Sequence, residues 1–169
     1  MRTVLALVAI VAVTLLLRST ALTALAGRGV VLDVLAFATV LWALRHHETW
    51  GASLGFALGL AADLDAAHWM GRHALVLALI GYGVGRLSHT LERNSARSQA
   101  ALLFAAALLH QTWVAAFEIG GAAGWPYLIE RVLLAVLATT LLGTLLVSLM
   151  RWGGPLRFGH GTVEPDPTD

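Results

Sequence analysis

Three ionisable residues lie within long apolar runs of the sequence or at their ends, where a charge is costly. Arg18 interrupts the first run, Asp33 opens the second, and Asp63 lies near the end of the third. If these runs are helices that cross a membrane, the three side chains lie at a similar depth. The pattern predicts a buried charge cluster in which Arg18 pairs with Asp63, or else with Asp33. Two alternatives remain open: a path for an ion or substrate, and an Arg18 side chain that reaches the membrane surface.

Histidines provide the other candidate chemistry. His110 lies in the middle of the fifth apolar run, two turns before Glu118, and this pair could relay protons or hold a metal. A hydrogen bond from His110 to a neighbouring helix is the simpler expectation. His68 and His73 cluster near Asp65, but their spacing matches no regular zinc motif. We therefore predict no catalytic residue, no metal site and no cofactor.

The composition excludes most classes of soluble protein. Hydrophobic residues make up 58% of the 169 residues and charged residues only 12%, about half the charged share of an average soluble domain. A soluble protein of this size has too much surface to cover with so little charge. The chain is therefore predicted to be an integral membrane protein that does not bind nucleic acid. Because it has no cysteine, disulfide and thiolate chemistry are excluded.

Six apolar runs define the predicted architecture. A spanning helix needs about 20 apolar residues, and the runs cover residues 3–25, 30–44, 50–67, 71–87, 98–117 and 127–150. Their hydrophobicity is too continuous for the alternating strands of a membrane barrel. We predict an all-α, polytopic domain of six transmembrane helices over residues 1–150. A disordered cytoplasmic tail is predicted over residues 151–169, which are rich in proline and end acidic.

The arginines orient this domain. With the N-terminus inside, cytoplasmic segments carry seven arginines and outer loops carry three, as the positive-inside rule favours. The seven are Arg2, Arg45, Arg86, Arg93, Arg97, Arg151 and Arg157, and the three are Arg28, Arg72 and Arg131. We therefore predict that both termini are cytoplasmic. A signal peptide cleaved after residues 24–26 is a competing interpretation, but its removal would place the arginine-rich loops outside.

Glycines recur at a spacing of four residues. Gly51, Gly55 and Gly59 follow this spacing in the third run, and Gly81 and Gly85 repeat it in the fourth. Residues four apart share one helix face, and small residues there let two helices approach closely in lipid. We expect these glycines to pack helices together inside the chain, or alternatively to dock the helix of a partner.

An ordered set of residues runs from Asp33 to Arg86. An aspartate opens a helix, a basic turn follows, a glycine-rich helix ends near a second aspartate, and another glycine-containing helix ends in arginine. The set comprises Asp33, Gly59, Asp63, Gly71, Gly81, Tyr82, Gly85 and Arg86. In this order and spacing the chain resembles the rod shape-determining protein MreD family. One difference is Leu32, where that family often has proline.

The resemblance implies a non-enzymatic scaffold of the bacterial cell-wall elongation machinery in the cytoplasmic (inner) membrane. It implies association with MreC, and with the MreB filament, the RodA glycosyltransferase and the elongation penicillin-binding transpeptidase. The implied helical fold is like that of the S-components of energy-coupling-factor vitamin transporters. That likeness leaves one alternative function, a vitamin-binding subunit with a polar pocket open to the outer face between Asp63 and His73.

Overall fold

The computed structural model describes residues 2–22, 32–66, 70–88, 95–118 and 125–152. Within these ranges the chain forms six α-helices and no strand, which confirms the predicted all-α class. The helices are α1 (Arg2–Leu17), α2 (Val34–Ala43), α3 (Glu48–Ala66), α4 (Arg72–Leu87), α5 (Ala96–Glu118) and α6 (Trp125–Trp152). From α2 onwards, each helix lies close to its predicted apolar run. Beyond Trp152, the predicted disordered tail falls outside the described residues.

The helical path of α1 continues past Leu17. Residues Arg18–Leu22 form a π-helical turn, and the hydroxyl groups of Ser19 and Thr20 both donate to the carbonyl oxygen of Leu16. Such bonds satisfy polar side chains inside their own helix, as surroundings without water require. Arg18 therefore begins a local change of helix geometry at the point where the apolar run is interrupted.

In the part of the chain that the structure describes, three helical segments are long and apolar enough to cross a membrane, judged by length and composition. They are Thr3–Thr20, Arg97–Phe117 and Ile129–Leu149. The ten residues of α2 extend only about 15 Å at 1.5 Å per residue, against a hydrocarbon core of about 30 Å. Thus α2 is too short to cross alone, and its first turn starts at a buried residue, Asp33.

The predicted glycine stripe lies where α3 and α4 pack against each other. A Cβ atom placed on Gly55 would overlap the carbonyl oxygen of Leu77, and one on Gly59 would overlap the backbone of Ala74. Gly51 and Gly81 face each other in the same way. Because the two backbones touch at these levels, the stripe packs helices of this chain against each other and is not open to a partner.

The hydrophobic core lies where α3 and α4 meet α2. Leu54 and Leu58 of α3 and Leu77 of α4 are fully buried there. Trp42 at the end of α2 is also buried, and its indole N–H donates to the carbonyl oxygen of Trp50 at 3.1 Å. The Trp42–Trp50 bond fixes the end of α2 beside the start of α3. The start of α2 therefore lies toward the end of α3 and the start of α4, where the polar side chains meet.

Candidate functional site: two buried aspartate–histidine pairs

Asp63 lies in the last turn of α3, and its carboxylate caps the start of α4. Oδ2 accepts hydrogen bonds from the backbone N–H groups of Gly71 (2.9 Å) and Ala74 (3.1 Å), and Oδ1 accepts one from the N–H of His73 (3.1 Å). The first N–H groups of a helix have no partner within it, and a negative charge is favoured there. The fully buried Asp63 is thus held by the helix that follows it.

The turn before α4 makes this cap possible. Gly71 has a φ of +97°, a left-handed conformation that favours glycine over residues with a Cβ atom. The turn also places the His73 side chain on the same carboxylate, with Nδ1 at 2.8 Å from Oδ1 of Asp63. Because an ionised carboxylate only accepts, Nδ1 carries the hydrogen and donates.

Asp33 forms a second pair of this kind at the start of α2. Its Oδ1 accepts from the N–H of Ala36 (3.0 Å), which caps its own helix. Its Oδ2 accepts from Nδ1 of His110 (2.6 Å) and Nε2 of Gln111 (3.1 Å), both on α5. The backbone N–H of Asp33 donates to the hydroxyl oxygen of Thr139 on α6 at 2.8 Å. Asp33 therefore joins three helices.

The two pairs touch each other. The imidazole rings of His73 and His110 pack edge to face, with centroids 5.5 Å apart. None of the four side chains of Asp33, Asp63, His73 and His110 is more than slightly exposed. We call these four residues the aspartate–histidine cluster. It connects α2, α3, α4 and α5 at one level of the bundle.

The cluster has the properties of a polar core that holds helices together. Buried polar groups are costly unless they are hydrogen-bonded, and here both carboxylate oxygens of each aspartate have donors. A further link between α4 and α5 is the indole N–H of Trp113, which donates to the carbonyl oxygen of Arg72 at 3.1 Å. Within the described residues, no group of three or more histidine, cysteine, aspartate or glutamate side chains could hold a metal ion.

The predicted pairing of Arg18 with Asp63 or Asp33 is not among the hydrogen bonds of the described residues. Among the described residues, Asp63 bonds only to α4 and the turn before it, and the side chain of Asp33 bonds only to α2 and α5. Four donors occupy the two carboxylate oxygens of Asp63, and three donors bond to those of Asp33. The structure therefore brings Asp33 and Asp63 into one cluster through histidines and leaves Arg18 out of their hydrogen bonds.

His110 forms the predicted hydrogen bond to a neighbouring helix, which confirms that expectation. The roles of His73, Gln111 and Thr139 were not predicted from the sequence. One sequence feature could have indicated the bond between Asp63 and His73: an aspartate near the end of one helix, followed by a short turn that contains glycine. The side chains of the other residues considered there, Glu118, Asp65 and His68, fall outside the described residues.

Comparison with known proteins assigns the chain to a family. The family model of the rod shape-determining protein MreD matches residues 1–152. No curated protein and no solved structure matches the chain. The family match covers all six helices and the whole aspartate–histidine cluster. The chain therefore belongs to the rod shape-determining protein MreD family.

Proposed function

We propose that this protein is a non-enzymatic, multi-pass scaffold of the cell-wall elongation complex in the bacterial inner membrane. Membership of the MreD family gives the coarser statement, a membrane protein with a role in determining rod shape. The proposed direct partner is MreC. The proposed wider complex contains the MreB filament, the RodA glycosyltransferase and the elongation penicillin-binding transpeptidase.

The observation that supports this proposal best is the position of the polar side chains, which lie inside the bundle. The four residues of the aspartate–histidine cluster are buried and bonded to one another or to backbone groups. The outer faces of the helices carry exposed apolar side chains, such as Leu79 and Leu141. The buried polar groups hold the helices of the bundle together, and the outer surface is apolar. This arrangement favours a protein that associates through its helices over one that transforms a substrate.

A groove on the outer face of α3 and α4 is the proposed docking surface for a helix of MreC. The groove measures about 440 Å³. Its floor contains small residues, Ala52 and Ala78, and its walls include the half-exposed rings of Phe56 and Tyr82. Small residues flanked by large ones let a second helix approach closely in lipid.

Filling the groove tests this surface. Ala78→Phe should lower the amount of MreC that co-purifies while the protein itself remains in the membrane. Leu137→Phe, on the exposed face of α6, adds a ring of the same size elsewhere and should leave co-purification unchanged. Wild-type co-purification by the Ala78→Phe variant would contradict the proposed docking surface.

The scaffold function is tested in a rod-shaped host. Deletion of the gene should give rounded cells, and the wild-type protein should restore the rods. MreC should co-purify with the wild-type protein from detergent extracts. Rods of normal width and length after deletion would contradict the proposed function.

The alternative function, a vitamin-binding subunit, requires polar groups that face a ligand near Asp63 and His73. Both side chains are buried, and every described bond of Asp63 goes to His73 or to the start of α4. Because Asp63 and His73 form hydrogen bonds with each other, these bonds favour the scaffold function over the vitamin-binding function.

A further inference from the structure

A cavity of about 380 Å³ lies between α2, α5 and α6. This volume falls within the range of small-ligand sites, about 300–1,000 Å³. Beside it, α6 approaches the other two helices at Gly143, where a side chain would meet Leu103 and Phe37. Leu141 and Leu145 of α6 border the cavity and are 68% and 56% exposed. The cavity is therefore open sideways, toward the surroundings of the helices.

The polarity of the cavity changes along its length. Phe37 and Leu141 line one end. Thr144 of α6 also lines the cavity, but its hydroxyl group donates to the carbonyl oxygen of Thr140 in its own helix at 2.7 Å. Leu44 lines the other end, where α2 terminates, together with Gln99 from the first turn of α5 and Ser148 from the last turns of α6. A molecule that fits this cavity has an apolar chain with polar groups at one end.

Two arginines are close in the chain to lining residues at the polar end of the cavity, although neither of them lines it. Arg45 directly follows Leu44, and Arg97 precedes Gln99 by two positions in the first turn of α5. Both arginine side chains are exposed. A guanidinium group binds phosphate through paired hydrogen bonds, and basic pockets between membrane helices bind the headgroups of anionic lipids.

We propose that this cavity binds an acyl chain of an anionic phospholipid from the surrounding leaflet, with its phosphate held by Arg45 and Arg97. The chain lies against the apolar residues between α2 and α6, and Gln99 and Ser148 meet the ester region. The positive charge at the polar end selects an anionic headgroup over a zwitterionic one, because only the anionic lipid carries a net negative charge.

The headgroup part of the proposal is tested with the full chain in mixed micelles of phosphatidylglycerol and phosphatidylcholine in equal amounts. Native mass spectrometry counts the lipids retained by the protein. The wild type should retain phosphatidylglycerol in preference to phosphatidylcholine. Arg45→Gln and Arg97→Gln should each lower this preference about five-fold. The matched control is Arg86→Gln, which removes an exposed arginine from the end of α4 and should leave the preference unchanged.

The chain-binding part is tested by filling the cavity. Thr144→Phe should abolish retention of the lipid, whereas Leu137→Phe, on the same helix but not among the lining residues, should not. Equal retention of both lipids, or wild-type retention by Thr144→Phe, would overturn the proposal. Displacement of the lipid by inorganic phosphate alone, or a second copy of the chain bound in place of lipid, would also overturn it. If Thr144→Phe fails to fold, the arginine variants still decide, because they leave the cavity unchanged.

Discussion

Asp33 and His110 are 77 positions apart in the chain, and their side chains share a buried hydrogen bond of 2.6 Å. The bond ties the start of α2 to the middle of α5. Because α2 has only ten residues, it is too short to cross the hydrocarbon core, and the bond to His110 anchors its first turn. The stability of the bundle should therefore depend on this pair as a unit.

A double-mutant cycle measures that dependence. Asp33→Asn and His110→Leu should each lower the free energy of unfolding in detergent by about 1.5–3 kcal/mol, the range for a hydrogen bond to a charged group. The double variant should lose less than the sum, with a coupling energy of about 1–3 kcal/mol. A matched cycle of His110→Leu with Gly83→Ala should be additive. Additive losses for Asp33 and His110 would mean that the pair does not act as a unit.

Substitution of Asp63 should destabilise the protein more than substitution of an ordinary helix-capping residue. Its carboxylate accepts hydrogen bonds from three backbone N–H groups and an imidazole. Loss of one helix cap costs about 1 kcal/mol, and stranding several buried donors costs more. We expect Asp63→Leu to lower the free energy of unfolding by at least about 3 kcal/mol, and Asp63→Asn to have a smaller effect. Thermal unfolding in detergent is the measurement, with Ser53→Ala on the exposed face of α3 as the control. Equal stability of Asp63→Leu and Ser53→Ala would contradict the capping role.

Arg18 and Asp63 should behave independently. The charge cluster predicted from the sequence implied that removing Arg18 or Asp63 alone would be more harmful than removing both, because the remaining charge would be buried without a partner. The structure gives Asp63 other partners. The losses of membrane-inserted protein caused by Arg18→Leu and Asp63→Leu, each converted to a free-energy change, should therefore be additive within about 0.5 kcal/mol. Partial recovery in the double variant would show that the two residues do interact.

Glycines of α3 and α4 differ sharply in the space around them. A Cβ atom on Gly55 would overlap the backbone of Leu77, whereas one on Gly83 meets nothing within 4 Å. Gly55→Ala should therefore separate the two helices and reduce the folded protein in the membrane by several-fold. Gly83→Ala, the same chemical change, should be neutral or stabilise the helix by up to about 1 kcal/mol. The two variants are compared by size-exclusion chromatography of detergent extracts, and equal yields would contradict the close helix contact.

The orientation of the chain can be tested with reporter fusions. Fusions after Met150 and within residues 89–94 should report a cytoplasmic location, and fusions within residues 121–124 an external one, because the arginine-rich segments favour the inside. In the structure Glu48 packs beside Gly85, so the turn that follows Arg45 lies at the same end of the bundle as Arg86. An external signal from the C-terminus would exclude the proposed orientation.

The helices could be predicted from the sequence because each apolar run is continuous and bounded by charges or glycine. The glycine stripe could also be located, since its spacing defines one face of each helix. The partners of the aspartates could not be predicted in the same way. His110 is far along the chain from Asp33, and His73 reaches Asp63 only through a turn whose geometry depends on Gly71. Charge alone favoured Arg18 as the partner of Asp63. In the structure, the unpaired backbone N–H groups at the start of α4 are the partners of Asp63 instead.

The two halves of the aspartate–histidine cluster become available at different times during synthesis. The contact between Asp63 and His73 spans ten residues, so it can form as soon as α4 leaves the ribosome. Contacts that are local in sequence close with a small loss of chain entropy, and this one gives the buried carboxylate at the end of α3 its hydrogen-bond donors as soon as the start of α4 is present. Asp33 must wait until α5 has been made. The α3–α4 hairpin can therefore close before α5 exists, whereas α2 gains its anchor only after α3, α4 and α5 have been translated.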